Sequence, residues 1–177
     1  HSSRCLHHAT AEGHQESPLR LSAIMDRLGQ AFEPYEADFS SNFPPADLKT
    51  TYRAHSKKYV DFVTRLAGEQ ARMGAGPMPF TPQVQSRIQN VPKKALKDPL
   101  RCDTSFSPGT LVAALTAAGA VCHAIDKVVR GEYRNAFCLV RPPGHHAGVD
   151  GLLEDAISCG FCIFNNVAVA AAHARAS

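Results

Sequence analysis

The chain has 177 residues, of which 44% are hydrophobic and 20% charged, as in a globular protein with a sizeable core and unlike a disordered or fibrous one. Its net charge of +3 is small and its basic residues are scattered, which argues against nucleic-acid binding. Its longest apolar stretches fall far short of the roughly 20 residues of a membrane span, so no membrane helix is predicted.

Caps and apolar spacing predict three helices in the first part of the chain. Residues 17–18 (Ser-Pro) precede apolar residues three and four apart as far as Phe32, which indicates a helix of about four turns. A short helix is predicted to start at residues 44–47. A third is predicted over residues 59–66, ending before Gly68.

A long surface loop is predicted next, because residues 72–99 are rich in glycine and proline. Order resumes at Asp103, and residues 107–108 (Ser-Pro) open a long helix that ends before Gly131. The alanines of this helix, together with Gly119, predict close packing against a neighbouring element.

A buried strand is predicted at residues 136–140, which form a continuous apolar run. The prolines and glycine of residues 141–144 end it abruptly. A short apolar segment at 161–164 and a helix over about 165–173 follow. Helix, buried strand, loop and helix in this order predict an α/β domain with a parallel sheet flanked by helices.

Two adjacent histidines, His145 and His146, follow the stiff Pro-Pro-Gly turn at the carboxyl end of the predicted strand. Ligand sites of open α/β sheets lie at that end, and imidazole is the side chain most readily poised as an acid or base near neutral pH. The pair alone leaves two alternatives open, a catalytic centre or exposed loop residues.

The string RPPGHHA at 141–147, followed by GFCIFNNVA at 160–168, closely resembles the active-site signature of class II histone deacetylases. Residues 14–20 resemble the first loop of that family, and residues from 103 onward resemble the segment before its active-site strand. The sequence departs from the family in two places. Thirteen residues separate His146 from Gly160, a long connection, and Gln15 stands where the family usually has proline.

The resemblance implies an arginase/deacetylase fold and zinc-dependent hydrolysis of acetyl-lysine to lysine and acetate. It implies that His146 is the general base and acid and that His145 hydrogen-bonds the attacking water. In the family, two aspartates and a histidine bind the zinc and a tyrosine stabilises the oxyanion. None of these is assigned here, and we expect them after Ser177. Residues 1–177 are accordingly expected to form the amino-terminal part of a catalytic domain, inactive and without tightly bound zinc by themselves.

The resemblance also implies substrate contacts. Gly160 and Phe161 would line the tunnel that holds the lysine stem, because glycine allows close approach and an aromatic face packs on methylenes. Asp103 would accept hydrogen bonds from the substrate backbone at the rim, and Arg20 would lie in an internal cavity beneath the metal. Their alternatives are structural roles: a turn glycine, a core aromatic, a helix cap and an ion-pair partner respectively.

Other metal sites have weaker support. The C-x-x-C spacing of Cys159 and Cys162 lacks a second such pair. A structural zinc site could also be formed from two cysteines and two histidines of two loops, namely Cys5, His7, His14 and Cys102.

Three functions remain open: a protein lysine deacetylase, an acetylpolyamine or other small-amide deacetylase of the same fold, and a non-catalytic module for assembly. The first implies acetylated histone tails or other acetyl-lysine proteins as substrates and corepressor-type partners in chromatin regulation and transcription repression. A chain of this size does not need its six cysteines as disulfide staples, so we expect a reducing compartment, nucleus or cytoplasm.

Overall fold

The computed structural model describes residues 1–32, 37–74, 76–82, 103–153, 156 and 158–176. The regular elements of these residues are mostly helical. They are a short 3-10 helix η1 (Ser3–His7), the helices α1 (Leu19–Ala31), α2 (Leu48–Thr51), α3 (Lys57–Met73), α4 (Thr110–Val129) and α5 (Asn166–Ala174), and the strands β1 (Met78–Pro79) and β2 (Ser105–Phe106).

The first two α-helices confirm the predicted starts. Ahead of α1, the Ser17 hydroxyl accepts a hydrogen bond from the Leu19 N–H at 3.2 Å. Ahead of α2, a carboxylate oxygen of Asp47 accepts one from the Thr50 N–H at 2.6 Å. Both side chains satisfy an amide that has no partner inside its helix, which explains why these residues begin helices.

Helix α3 runs further than predicted, past Gly68 to Met73. A single glycine inside a helix costs only about 1 kcal/mol relative to alanine, and the flanking apolar residues outweigh that cost. The helix ends instead at Gly74, which has the left-handed φ of 59° and donates its N–H to the Gln70 carbonyl. The prediction of an end before Gly68 was therefore wrong.

Helix α4 confirms its predicted extent and its close packing. A β-carbon placed on Gly119 would lie 2.2 Å from the Pro44 carbonyl oxygen, so the chain before α2 lies directly on the helix. By length and composition α4 could also cross a membrane, which was not anticipated from the sequence. In the described structure, 44% of its apolar stretch is buried inside the protein.

The described residues contain one sheet, the antiparallel pair of β1 and β2, in which Met78 is opposite Phe106. The residues expected to form a buried strand, 136–140, are not assigned to a strand, and Phe137 is 75% exposed. A strand needs a hydrogen-bonded neighbour, and none of the described residues supplies one here. The long loop predicted at 72–99 includes the end of α3 and β1; its residues 83–99 lie outside the described residues.

The main core lies between α3, α4, the small sheet and the segment before α5. It is built mostly from aromatic and β-branched side chains, and its large, fully buried members are Tyr59, Val60, Val63, Phe80, Phe106, Ile163 and Phe164. The Tyr59 hydroxyl donates to the Ile163 carbonyl at 2.6 Å, which ties α3 to the chain that precedes α5.

Candidate active site

A buried ion pair anchors the turn that carries the two histidines. The guanidinium of Arg141 is 2% exposed and binds both carboxylate oxygens of Glu16, at 2.8 Å each. It also donates to the carbonyls of Cys5 and His8. These contacts satisfy the charge on both sides, as a buried pair requires. They fasten the first loop to the chain directly before the histidines.

His8 extends this network as a neutral imidazole. Its Nδ1 lies 2.8 Å from the Thr110 hydroxyl and its Nε2 lies 3.5 Å from Glu16. Burial, and next the charge of Arg141, lower the pKa of His8 to about 3. The short distance to Glu16 could suggest a charged pair. We interpret it as a contact of neutral His8, because Arg141 already neutralises that carboxylate and opposes a second positive charge.

We predict that the protein loses stability as the pH falls below the unfolded-state pKa of histidine, about 6.5. The folded-state pKa of His8 is depressed, so between pH 6.5 and about 3 the unfolded chain binds a proton that the folded chain does not. For His8 alone, the free energy of unfolding should fall by about 2 kcal/mol between pH 7 and pH 5. Urea titrations at the two pH values measure it.

Two variants make this test specific. His8→Gln removes the titrating group and should flatten the pH dependence by the same amount. His7→Gln, which removes the exposed neighbouring histidine, is the matched control for the substitution itself. A His8→Gln protein with the wild-type pH dependence would show that His8 does not carry the effect.

The backbone of the histidine pair rests on a buried sulfur. The N–H groups of His145 and His146 both point at Cys162 Sγ, at 3.4 Å each, and the thiol donates to the Gly160 carbonyl at 3.3 Å. Burial raises the pKa of the Cys162 thiol, so it acts here as a neutral acceptor. The two imidazoles lie 4.4 Å apart between ring centroids, and both are exposed.

Gly160 allows the close contact between the two motifs. A β-carbon at Gly160 would lie 2.7 Å from the ring of His146, and the residue has a φ of 53°. At the other end of the turn, a β-carbon on Gly144 would collide with the Asn166 side chain at the start of α5. Both glycines are therefore required for α5 and its preceding turn to meet the histidines.

His55 fixes the chain that leaves the histidine pair. Its Nδ1 lies 2.9 Å from the Gly148 carbonyl, and its Nε2 accepts a hydrogen bond from the Asn165 N–H at 2.8 Å. Because Nε2 accepts, the hydrogen is on Nδ1 and the ring is neutral. Burial lowers the pKa of His55, which favours the same state. The amide of Asn165 donates to the Ala147 carbonyl, so both segments are held together at the site.

Phe161 forms one wall of the site in an unusual conformation. Its φ of 67° is the only positive value among the non-glycine residues that the structure describes. Such a conformation costs of the order of 1–3 kcal/mol in a bulky residue and needs support from its surroundings. The His14 ring supplies part of it, because it meets the half-buried Phe161 ring edge-on at 5.3 Å between centroids.

His14 also joins the first loop to the Asp103 segment. Its Nδ1 accepts a hydrogen bond from the Glu16 N–H at 3.0 Å, and its Nε2 lies 2.7 Å from the Asp103 carbonyl oxygen. The Asp103 side chain is exposed. The structure thus brings five residues to one place, namely Asp103, His14, His146, Gly160 and Phe161.

Arg20 is the exception among the site residues. It was expected in an internal cavity, but it lies exposed on the first turn of α1. The buried arginine of the site is Arg141, whose charge is compensated by Glu16. Among the described residues Arg20 forms no ion pair, so burial there would leave its charge uncompensated. Its expected position is corrected accordingly.

Several supporting residues were not identified from the sequence, namely Glu16, Thr104, His55 and Cys162. Their partners are distant in the chain, up to 125 positions in the case of Glu16 and Arg141, so no local spacing indicates them. Glu16 stands in the first loop and Cys162 in the second motif, which could have drawn attention to them, whereas His55 and Thr104 stand in neither.

This arrangement is suited to proton transfer beside an apolar wall. The imidazole of His146 is accessible and lies on Gly160, which directly precedes Phe161 in the chain. The exposed carboxylate of Asp103 can accept hydrogen bonds from a bound molecule.

Comparison with known proteins identifies relatives of this chain. The histone deacetylase domain profile matches residues 14–177. The chain is 32% identical over 171 residues to type-2 histone deacetylase 2 of Dictyostelium discoideum, covering 96% of this chain and 10% of that protein. It is 31% identical over 167 residues to acetylpolyamine amidohydrolase of Mycoplana ramosa, covering 88% of this chain and 44% of that protein.

A solved structure shares the fold. The crystal structure of the HDA15 HD domain matches with a TM-score of 0.71 and 29% identity, over 98% of this chain and 42% of that one. The chain therefore spans less than half of the solved domain and about a tenth of the type-2 deacetylase.

Proposed function

The chain belongs to the histone deacetylase family, and from this we propose that it supplies the proton-transfer and substrate-binding side of a protein lysine deacetylase site. One observation carries the proposal: the imidazole of His146 lies directly against Gly160 of the second motif, and the His145 ring lies 4.4 Å from it between centroids. As substrates we propose acetylated histone tails or other acetyl-lysine proteins. We also propose corepressor-type partners, a role in transcription repression and a nuclear or cytoplasmic location.

In the proposed reaction, water adds to the acetamide carbonyl carbon, and the bond from that carbon to the lysine nitrogen then breaks. His146 accepts the proton that the water loses and returns it to the departing amine, so that lysine and acetate are released. His145 hydrogen-bonds the water and orients it. Gly160 and Phe161 hold the methylene stem, and Asp103 accepts hydrogen bonds from the substrate backbone.

We propose zinc as the cofactor of the complete enzyme, on the strength of the family. When bound, zinc polarises a carbonyl and acidifies water. A catalytic zinc takes three protein ligands, and the described residues contain no cluster of three His, Cys, Asp or Glu side chains placed to hold one. We therefore assign no zinc ligand to any described residue.

We also propose that residues 136–140 form a strand of a parallel sheet in the complete domain. Their apolar sequence supports this, as does their position directly before the histidine turn. In such a sheet, neighbouring elements would cover the ring of Phe137, which is exposed here.

A deacetylase of acetylated polyamines is the second candidate, and the similarity to acetylpolyamine amidohydrolase over 88% of the chain favours it. Hydrolysis rates of an acetyl-lysine peptide and an acetylated polyamine, measured with the full-length protein, separate the two. We expect faster hydrolysis of the peptide. Preference for the polyamine would support the second candidate. Hydrolysis of neither would contradict both and leave a non-catalytic module.

We predict that Asp103→Ala raises the KM for an acetyl-lysine peptide roughly 10-fold, because hydrogen bonds to a charged acceptor are lost. The fold should persist, since the carboxylate is exposed. Steady-state kinetics and the melting temperature measure the two effects. Asp26→Ala, which removes an exposed carboxylate on α1, is the matched control. If Asp103→Ala lowers the melting temperature but keeps normal kinetics, Asp103 is structural.

A further inference from the structure

The hydroxyl of Thr104 connects the two proposed substrate-binding residues. Its oxygen accepts a hydrogen bond from the Phe161 N–H at 3.1 Å, and it lies 3.0 Å from a carboxylate oxygen of Asp103. A carboxylate only accepts, so the hydroxyl hydrogen points to Asp103. The three groups thus form a chain with one direction, from the Phe161 amide through Thr104 to the Asp103 carboxylate.

The position of Thr104 is fixed from behind. Its side chain is fully buried, and its carbonyl accepts a hydrogen bond from the Phe80 N–H at 2.8 Å, next to the pairing of β1 and β2. The core and the small sheet therefore fix the position of the Thr104 hydroxyl. Asp103 and Phe161, in contrast, are an exposed carboxylate and a residue with a left-handed backbone.

A bulky residue at positive φ keeps that conformation only where contacts with its surroundings hold it there. The Phe161 amide has this partner in Thr104, while the Phe161 ring rests on His14. One buried hydroxyl, that of Thr104, thus helps to orient both Phe161 and the carboxylate of Asp103.

We propose that Thr104 is a positioning residue, which holds Asp103 and Phe161 in a fixed relation so that the substrate backbone and the lysine stem are bound together. The inference rests on the proposed deacetylase function. It assigns Thr104 no part in proton transfer. Loss of its hydroxyl should therefore act on substrate binding and leave the pH dependence of kcat unchanged.

The test compares isosteric variants in the full-length protein. Thr104→Val removes the hydroxyl at nearly constant volume and should lower kcat/KM for an acetyl-lysine peptide roughly 10-fold, mainly through KM, because the half-buried Phe161 amide loses its acceptor. Thr104→Ser keeps the hydroxyl and should stay within about threefold of wild type. Thr116→Val is the matched control, because it removes a buried hydroxyl of α4 that donates to the Val112 carbonyl.

A double-mutant cycle tests the coupling itself. In Asp103→Ala the hydroxyl has lost one of its partners, so adding Thr104→Val should cost less than it does in wild type. Wild-type kinetics in Thr104→Val, or losses that multiply independently with those of Asp103→Ala, would overturn the proposal. If Thr104→Val does not fold, Thr104→Ala carries the same test without a methyl group beside buried polar atoms.

The outcomes also separate this inference from the function on which it rests. Wild-type protein that hydrolyses no acetylated substrate overturns the proposed function and this inference with it. Active wild type with an unaffected Thr104→Val overturns the inference alone. An equal loss in Thr104→Val and Thr116→Val also overturns it, since that loss reflects stability.

Discussion

His146→Ala should reduce deacetylase turnover by at least ~100-fold in the full-length protein, the lower end of what a positioned general acid and base contributes. The imidazole of His146 is accessible, and its backbone is held by Cys162. The substitution removes the proton carrier without disturbing that support. The measurement is kcat on an acetyl-lysine peptide under saturating substrate.

The controls separate chemistry from folding. His146→Ala should keep the wild-type melting temperature, because the ring is exposed and lies on Gly160 without a buried hydrogen bond in the described structure. His7→Ala removes an exposed histidine elsewhere and should keep full turnover. Unchanged kcat in His146→Ala would refute the role given to this residue.

Glu16→Gln should be the most destabilising of the substitutions considered, at about 3–5 kcal/mol, because it leaves the Arg141 guanidinium buried without a counter-charge. That loss is a large share of the roughly 5–15 kcal/mol that stabilises a typical domain. The free energy of unfolding from urea titrations, extrapolated to water, measures the effect.

Asp61→Asn is the matched control, because it removes one carboxylate of an exposed pair with Lys57 on α3. Solvent screens such a pair, so its loss should change stability little. A cycle with Arg141→Met completes the test. The double variant Glu16→Gln with Arg141→Met should be less destabilised than the sum of the two single variants, and strict additivity would show that the pair does not act as a unit.

The helices could be predicted because their signals are local. Ser17 and Asp47 lie next to the amides that they cap, and the spacing of apolar residues in α4 gives its length. The end of α3 could not be located as well, since Gly68 and Gly74 look alike in sequence and only the second adopts a positive φ. The pairing of β1 with β2 joins two-residue segments far apart in the chain, and no periodicity indicates so short a strand.

In the candidate site, too, local motifs could be identified and contacts between distant segments could not. The histidine pair and Gly160–Phe161 could be identified from two contiguous motifs. The residues that hold them could not, because their contacts join separate segments: Thr104 to Phe161, His55 to Asn165. The position of Arg20 was misjudged for the same reason. The sequence does not indicate that Arg141, and not Arg20, forms the buried ion pair with Glu16.

The partnership of Glu16 with Arg141 has a consequence for synthesis on the ribosome. The two residues are 125 positions apart, which at roughly 5–20 residues per second amounts to about 6–25 s of translation. Throughout that time the carboxylate of Glu16 is in water, because the cation that neutralises it does not yet exist. During the same time the Cys5 carbonyl lacks the hydrogen bond that the Arg141 guanidinium donates to it in the folded protein. The first loop can therefore reach its native environment only after the histidine turn has begun to emerge.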